Sequence, residues 1–376
     1  FRSAPPRDGI DGHLSTKTPF AMSYPQQVIH NTPKPQAFVH NLRSACTRSR
    51  RSAYGLPMKR HKEIEALILE AESQRRCAFG AKKSVRSAMG RRAAALELKR
   101  VFPNMYATPE YWNALDPPEQ TLHIARTLGV KHPDWVFSGI VAAAAYGFEH
   151  QWSLHTGTIS IVSHTQSTES QGHRVQRLYA SRYSVETASG LTLVDRGRTV
   201  VDCCRLFPFR YALPIVDSAL GQGVKVGDIL SVCDNLQRDC SSVFRALHYA
   251  DANSENGGES LMRGTIIDCG FMPPRTQETF VDPQTGKVYR ADFVWHINGS
   301  DIIVAEFDGM GKYVDPSMTN RRSVQSVVLA EREREQALHR AGVTAIVRFT
   351  FDEVVQRSPV LDRLRAAGVP LHDGVI

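Results

Sequence analysis

Several common signatures are missing from this chain, and each absence narrows its chemistry. The seven cysteines (Cys46, Cys77, Cys203, Cys204, Cys233, Cys240 and Cys269) form no CxxC pair and no zinc-ribbon spacing. Structural zinc is therefore not expected, and reduced thiols in a cytoplasmic protein are. Fourteen histidines are scattered, with no HExxH motif and no close pair that would support zinc. Walker and GxGxxG phosphate loops, a GxSxG elbow and internal repeats are absent too. No apolar run approaches the roughly 18 residues of a membrane span. The longest, at 140–148, is Ala-rich and reads as a buried helix, so no membrane partner is expected. The charged-then-apolar layout of a signal peptide is not seen.

What is present is an ordinary globular composition carrying an excess of cations. At 376 residues the chain has material for two or three domains. Its formal net charge of +8 leans towards polyanionic partners. Residues 1–57 are rich in Pro, Ser, Arg and Thr, with cations clustered at Arg43, Arg48, Arg50 and Arg51. They are expected to be a disordered basic leader. A methionine suited to a translation start stands at Met58, so the leader is expected to be an over-extended reading frame or a dispensable tail.

Residues 58–108 change character. Ile64, Leu67, Ile68 and Ala71 recur at helical spacing. A turn at Phe79-Gly80 precedes a second helical stretch carrying Lys82, Lys83, Arg86, Arg91 and Arg92. Residues 98–106 then have strand–turn–strand character. Two helices, the second basic, and a hairpin wing predict a winged helix-turn-helix whose five cations contact double-stranded DNA.

Residues 109–251 read as a central α/β region. Helices are expected at 111–129, started by Pro117-Pro118, and at 132–148, capped by Ser138. Strands are expected at 157–163, 174–178 and 191–193. Arg198 to Asp202 opens another helix, with Arg198 and Asp202 read as an i,i+4 surface pair and Cys203-Cys204 as core. A helix at 211–220 stops at Gly221, and residues 252–258 form the clearest linker.

The last segment, 255–376, carries the sharpest signal. A helix beginning near Glu259 is followed by strands at 277–281, 287–295 and 301–307, a long helix at 324–341, a strand at 344–350 and a terminal helix from Asp352. Glu306 and Asp308 share one side of their strand, and the hairpin partner brings Asp292 beside them. Three converging carboxylates repel one another unless a cation lies among them, and hard oxygen ligands favour Mg²⁺ or Mn²⁺. Glu306 follows the apolar run Ile302-Ile-Val-Ala305, so it must be buried with a partner.

These pieces resemble the restriction-endonuclease-like PD-(D/E)xK superfamily, and within it the branch related to very-short-patch-repair endonucleases. The likeness rests on the αβββαβ order, Asp292-Phe293, Glu306 to Gly309, the charged helix from Glu331 to Arg340, and Gly342-Val-Thr-Ala-Ile-Val-Arg348. The resemblance implies a metal-dependent endonuclease in which Asp292, Glu306 and Asp308 hold Mg²⁺ or Mn²⁺ and Glu259 orients water or completes a second site. That superfamily usually places Lys two residues after the second acid, where this chain has Asp308; Lys312 is the candidate to reach back and hold the water or the scissile phosphate. Glu331 and Arg334 read as a supporting shell or, more simply, an i,i+3 surface pair. Residues 58–250 resemble AbiEi-type antitoxin and transcriptional regulator proteins, through Pro103-Asn-Met-Tyr106, Ser138 with Tyr146-Gly-Phe148, and Arg198 to Asp202. That resemblance implies a non-catalytic DNA-binding regulator and a neighbouring nucleotidyltransferase-like toxin as partner. The expected fold class is α/β (mixed α+β): an N-terminal winged helix-turn-helix, a central α/β region and a C-terminal αβββαβ domain.

Overall fold

Apolar residues four and seven apart wind the first helix, α1 (Lys62–Ser73), which buries Ile64, Ile68 and Ala71. In the computed structural model they meet Val85, Ala88 and Met89 of α2 (Lys83–Ala94) in a small separate core. The structure describes residues 61–164, 174–236, 238–308 and 324–372. The leader at 1–57 therefore lies outside the described residues, as does Lys312. Strands β1 (Lys99–Phe102) and β2 (Met105–Ala107) pair antiparallel. Ala78, between the two helices, bridges Tyr106 on β2, exchanging both backbone bonds at 2.9 and 2.8 Å. The whole chain is mixed α/β, with small sheets.

The central region departs from expectation in several places. The helix expected at 111–129 is two helices, α3 (Pro109–Ala114) and α4 (Pro117–Lys131). Asp116 separates them, because its carboxylate accepts the Glu119 N–H at 2.7 Å and starts α4 as an N-cap. The helix expected from 132 begins only at Gly139: α5 is Gly139–Tyr146. Before it, Val136 to Ser138 is extended. Phe137 bridges both Ile161 on β3 (Ile159–Ser163) and Leu193 on β6 (Leu191–Val194). This three-residue connector joins two strand pairs, β3 with β4 (Val175–Tyr179) and β5 (Val185–Ala188) with β6. Such a short segment leaves no period for a sequence reading to find.

Ser138 does not cap α5 with its side chain. Its hydroxyl donates to Asp202 on α6 (Arg196–Leu206), while Arg198 Nε meets the other Asp202 oxygen at 2.9 Å. Arg198 and Asp202 are thus a buried pair and not the expected surface pair; α6 is enclosed on nearly all sides. Cys203 and Cys204 are core, as read. Helix α7 (Phe209–Gly221) follows, then two helices absent from the sequence reading, α8 (Val226–Leu236) and α9 (Ser241–His248).

The C-terminal elements run α10 (Gly257–Asp268), β7 (Arg275–Val281), β8 (Val288–Ile297), β9 (Asp301–Asp308), α11 (Val324–Arg340), β10 (Val343–Thr350), α12 (Phe351–Gln356) and α13 (Ser358–Ala366). Their order is the αβββαβ expected, with boundaries within a few residues. The strands form one sheet, β10-β9-β8-β7, in which only β10 and β9 are parallel. One face, with Phe293, Trp295, Ile303 and Phe349, packs on Leu261, Met262 and Ile266 of α10 and on α12 and α13. The other, with Val294, Val304 and Val343, packs on Ala337 and Leu338 of α11. Arg340 fixes the end of α11 to the β7–β8 turn through two bonds to the buried Asp282, at 2.9 and 2.7 Å. Among the described residues no helix is long and apolar enough to cross a membrane.

Candidate nucleic-acid interface and carboxylate clusters

Helix α2 is two-sided. Val85, Ala88 and Met89 face α1, while Lys82, Lys83, Arg86 and Arg91 are exposed. Arg92 is half-buried and pairs with Glu97 at 2.6 Å, so it is held by the protein's own acid. No acid occupies the first turn of α2, and Lys82 and Lys83 stand there instead. Cations at a helix N-terminus oppose the macrodipole by a few tenths to about 1 kcal/mol, a cost that a bound polyanion removes. Beside α2, the β1 strand presents Lys99 and Arg100 to solvent. The four exposed cations of α2 thus lie next to a hairpin with two more.

The four candidate acids, Glu259, Asp292, Glu306 and Asp308, do not share one set of partners. Glu306 is buried, and alternation along β9 turns it away from Ala305 and Phe307, towards α11. There its carboxylate contacts Arg334 of α11, with Arg348 Nε of β10 at 3.3 Å. Arg348 also bonds Glu331, whose carboxylate is 3.8 Å from Arg334. Two acids and two guanidiniums make a closed, alternating lattice across α11, β9 and β10. Glu331 and Arg334 belong to it, which an isolated surface pair does not describe.

Asp292 and Glu259 form another group. Asp292 accepts the backbone N–H of Phe307 at 2.9 Å. Glu259, in the first turn of α10, takes Asn256 Nδ2 at 2.7 Å and Gln277 Nε2 at 2.8 Å. Burial first, then the negative charges of Asp292 and Glu255, push the Glu259 carboxyl up from 4.5 to about 7. Gln277 sits at φ +53°, a left-handed backbone that aims its amide at Glu259. Gly258 is needed here: a Cβ would stand 2.3 Å from the Phe307 ring.

Asp308 closes β9 half-buried, opposite Thr350 of β10. Asp292 and Glu306 lie on neighbouring strands, one step beyond the Phe293–Ala305 pair. Asp292 lies near Glu259 of α10, whereas Glu306 meets Arg334 of α11. Among the described residues no group of three or more His, Cys, Asp and Glu is arranged to hold a metal ion. Glu306, already neutralised by two guanidiniums, offers a poor ligand for Mg²⁺ or Mn²⁺, whose binding needs uncommitted anionic oxygens. With both guanidiniums in place the Glu306 charge is compensated without a cation.

The sequence reading found no close histidine pair, yet His150 and His155 meet through their Nε2 atoms at 2.7 Å. His150 Nδ1 lies 2.5 Å from the Phe148 carbonyl and must carry the proton. His150 Nε2 then accepts from His155, whose Nδ1 accepts from the Thr121 hydroxyl at 2.8 Å. Burial drives both pKa values down, that of His155 to about 3. The five-residue separation, across a single 3-10 turn at Trp152–Leu154, gave no period from which to anticipate the contact. No protein-family model, curated protein or solved structure matches this chain.

Proposed function

We propose that this protein binds double-stranded DNA through α2 and the β1–β2 hairpin, and acts as a non-catalytic regulator of the kind its resemblance to AbiEi-type antitoxins implies. The observation that carries this reading is the exposed row Lys82, Lys83, Arg86 and Arg91 opposite the buried face of α2. Helices of that make lie in the major groove in winged helix-turn-helix proteins while the hairpin touches the backbone. The unfavourable lysines at the N-terminus of α2 fit a helix completed by phosphates. The partner implied by the same resemblance is a nucleotidyltransferase-like toxin. The C-terminal αβββαβ unit serves, on this reading, as a scaffold, since the Glu306 carboxylate is committed to Arg334 and Arg348.

A second reading, a Mg²⁺- or Mn²⁺-dependent endonuclease, is favoured by the αβββαβ order with acids at 292, 306 and 308 on adjoining strands. Duplex binding and plasmid integrity, assayed with the full chain, separate the two. The regulator binds duplex DNA without divalent metal, loses that binding in K83A/R86A/R91A and leaves supercoiled plasmid intact with Mg²⁺ or Mn²⁺. Nicking that disappears in Asp292→Ala or Glu306→Ala would establish the endonuclease instead. A wild-type chain with no affinity for duplex DNA refutes the binding role.

A further inference from the structure

Further cations stand next to the helix-and-wing unit. Lys131, the last residue of α4, places its ammonium 5.8 Å from the centroid of the Phe79 ring, in the turn that leads into α2. His132 follows it, exposed and stacked on Trp135 with ring centroids 4.1 Å apart. Arg177 stands opposite Ile161, which Phe137 bridges five residues after His132, and after burial the charges of Lys131 and Arg177 both depress protonation of the His132 ring. Arg177 is half-exposed on β4. Just ahead of that strand Arg174 reaches the wing: its Nη1 bonds the Val101 carbonyl at 3.3 Å, and its guanidinium lies 5.7 Å from the Phe102 ring. Among the described residues no Asp or Glu forms an ion pair with Lys131, Arg174 or Arg177.

We infer that Lys131 and Arg177, with Arg174 beside the wing, contact the phosphate backbone of the same duplex that α2 engages. The central region thereby extends the DNA footprint past the helix and hairpin. This rests on the DNA-binding reading above. The cations stand on the end of a fifteen-residue helix and on a strand, so their positions are set by the core. Contacts so held fix the register of a protein on DNA without reading bases. Charge complementarity selects the occupant: cations with no acidic partner among the described residues, next to an exposed basic helix, suit a continuous polyanion that also occupies that helix.

The test measures affinity of the full chain for a duplex by fluorescence anisotropy between about 50 and 200 mM salt, where each phosphate contact contributes about 0.9 to the slope of log K against log[salt]. K131Q/R177Q should lower that slope by about 1.8 and weaken binding about tenfold at the upper end of the range. Its thermal unfolding should match the wild type. K83Q/R86Q should weaken binding in parallel. If K83Q/R86Q loses binding while K131Q/R177Q keeps the wild-type slope and affinity, the extended footprint is wrong and the DNA-binding reading stands. If the wild type does not bind duplex DNA, both fall together.

Discussion

Arg263 of α10 and Asp217 of α7 form an ion pair with both side chains almost fully withdrawn from solvent. Arg263 also donates to the Tyr249 carbonyl at 2.8 Å, and Asp217 accepts the Asp251 N–H at 2.8 Å. The pair therefore fastens the C-terminal unit to the central region just across the 252–258 segment. Removing one partner leaves the other charge buried. Arg263→Ala should cost about 3–5 kcal/mol in urea unfolding, and D217L/R263M should recover most of it. A loss below about 1 kcal/mol in Arg263→Ala would show that this junction is wet.

Gly264, one residue on, tests the same junction sterically. In an exposed helix interior Gly→Ala gains about 1 kcal/mol. Here the added Cβ would stand 2.9 Å from the Arg210 Cα, and backbone cannot swing aside as a side-chain tip can. Gly264→Ala should instead destabilise, by about 1–3 kcal/mol. A stabilised variant would mean that α10 and α7 do not pack this closely.

Glu259 gives the fold a pH dependence of unusual sign. Its folded pKa of about 7 lies above the 4.5 of an unburied glutamate, so between those values the folded state holds more protons than the unfolded. Stability should fall as pH rises from about 4.5 to 7 on account of this residue, by on the order of 2 kcal/mol once the shift is discounted for solvent screening. Glu259→Gln keeps an acceptor for Asn256 or Gln277 and removes the titration. It should flatten that part of the profile and be the more stable protein at pH 8. Identical profiles for variant and wild type would sink the assignment.

His150 and His155 act in the opposite direction. Their folded pKa values lie below the usual 6.5, so stability is complete above 6.5 and is lost as pH falls towards about 3. Protonating His150 confronts two N–H groups across the 2.7 Å contact, and protonating His155 replaces the acceptor that the Thr121 hydroxyl donates to with an N–H. Ring ¹⁵N shifts should show a proton on His155 Nε2 and none on Nδ1 at neutral pH. The reverse tautomer would break the chain from Thr121 to Phe148.

Alternation made the C-terminal sheet legible: Val288 to Ile297 and Asp301 to Asp308 carry long apolar runs cut by turn residues, and their ends were placed within two residues. The central region was less readable. Helices α8 and α9 escaped notice, although Ile229, Cys233 and Leu236 recur at i, i+4 and i+7 on the buried side of α8. Polar residues and Gly223 around that pattern dilute its period, and no element was expected there. Asp202 was misread because i,i+4 spacing says nothing of depth; the burial of α6 is decided by α5, α7, α8 and α9, which pack around it. Glu306 was recognised as a buried acid that needs a partner. Its partners Arg334 and Arg348 could not be named, since only the fold brings α11 and β10 against β9.

That lattice yields the sharpest stability test. An acid kept for binding a cation stands among other acids, and replacing it in metal-free protein relieves repulsion and stabilises the fold. Glu306 stands among cations instead, so Glu306→Ala leaves Arg334 and Arg348 to share the single, more exposed carboxylate of Glu331. The variant should lose about 2–4 kcal/mol in metal-free buffer, within the range for breaking a buried pair after allowance for the partial exposure of both arginines. Adding millimolar Mg²⁺ should leave wild-type stability unchanged, because a cation gains no site while the guanidiniums hold the carboxylate. A stabilised Glu306→Ala, or a wild type that melts higher with Mg²⁺, would reverse the assignment and favour the endonuclease.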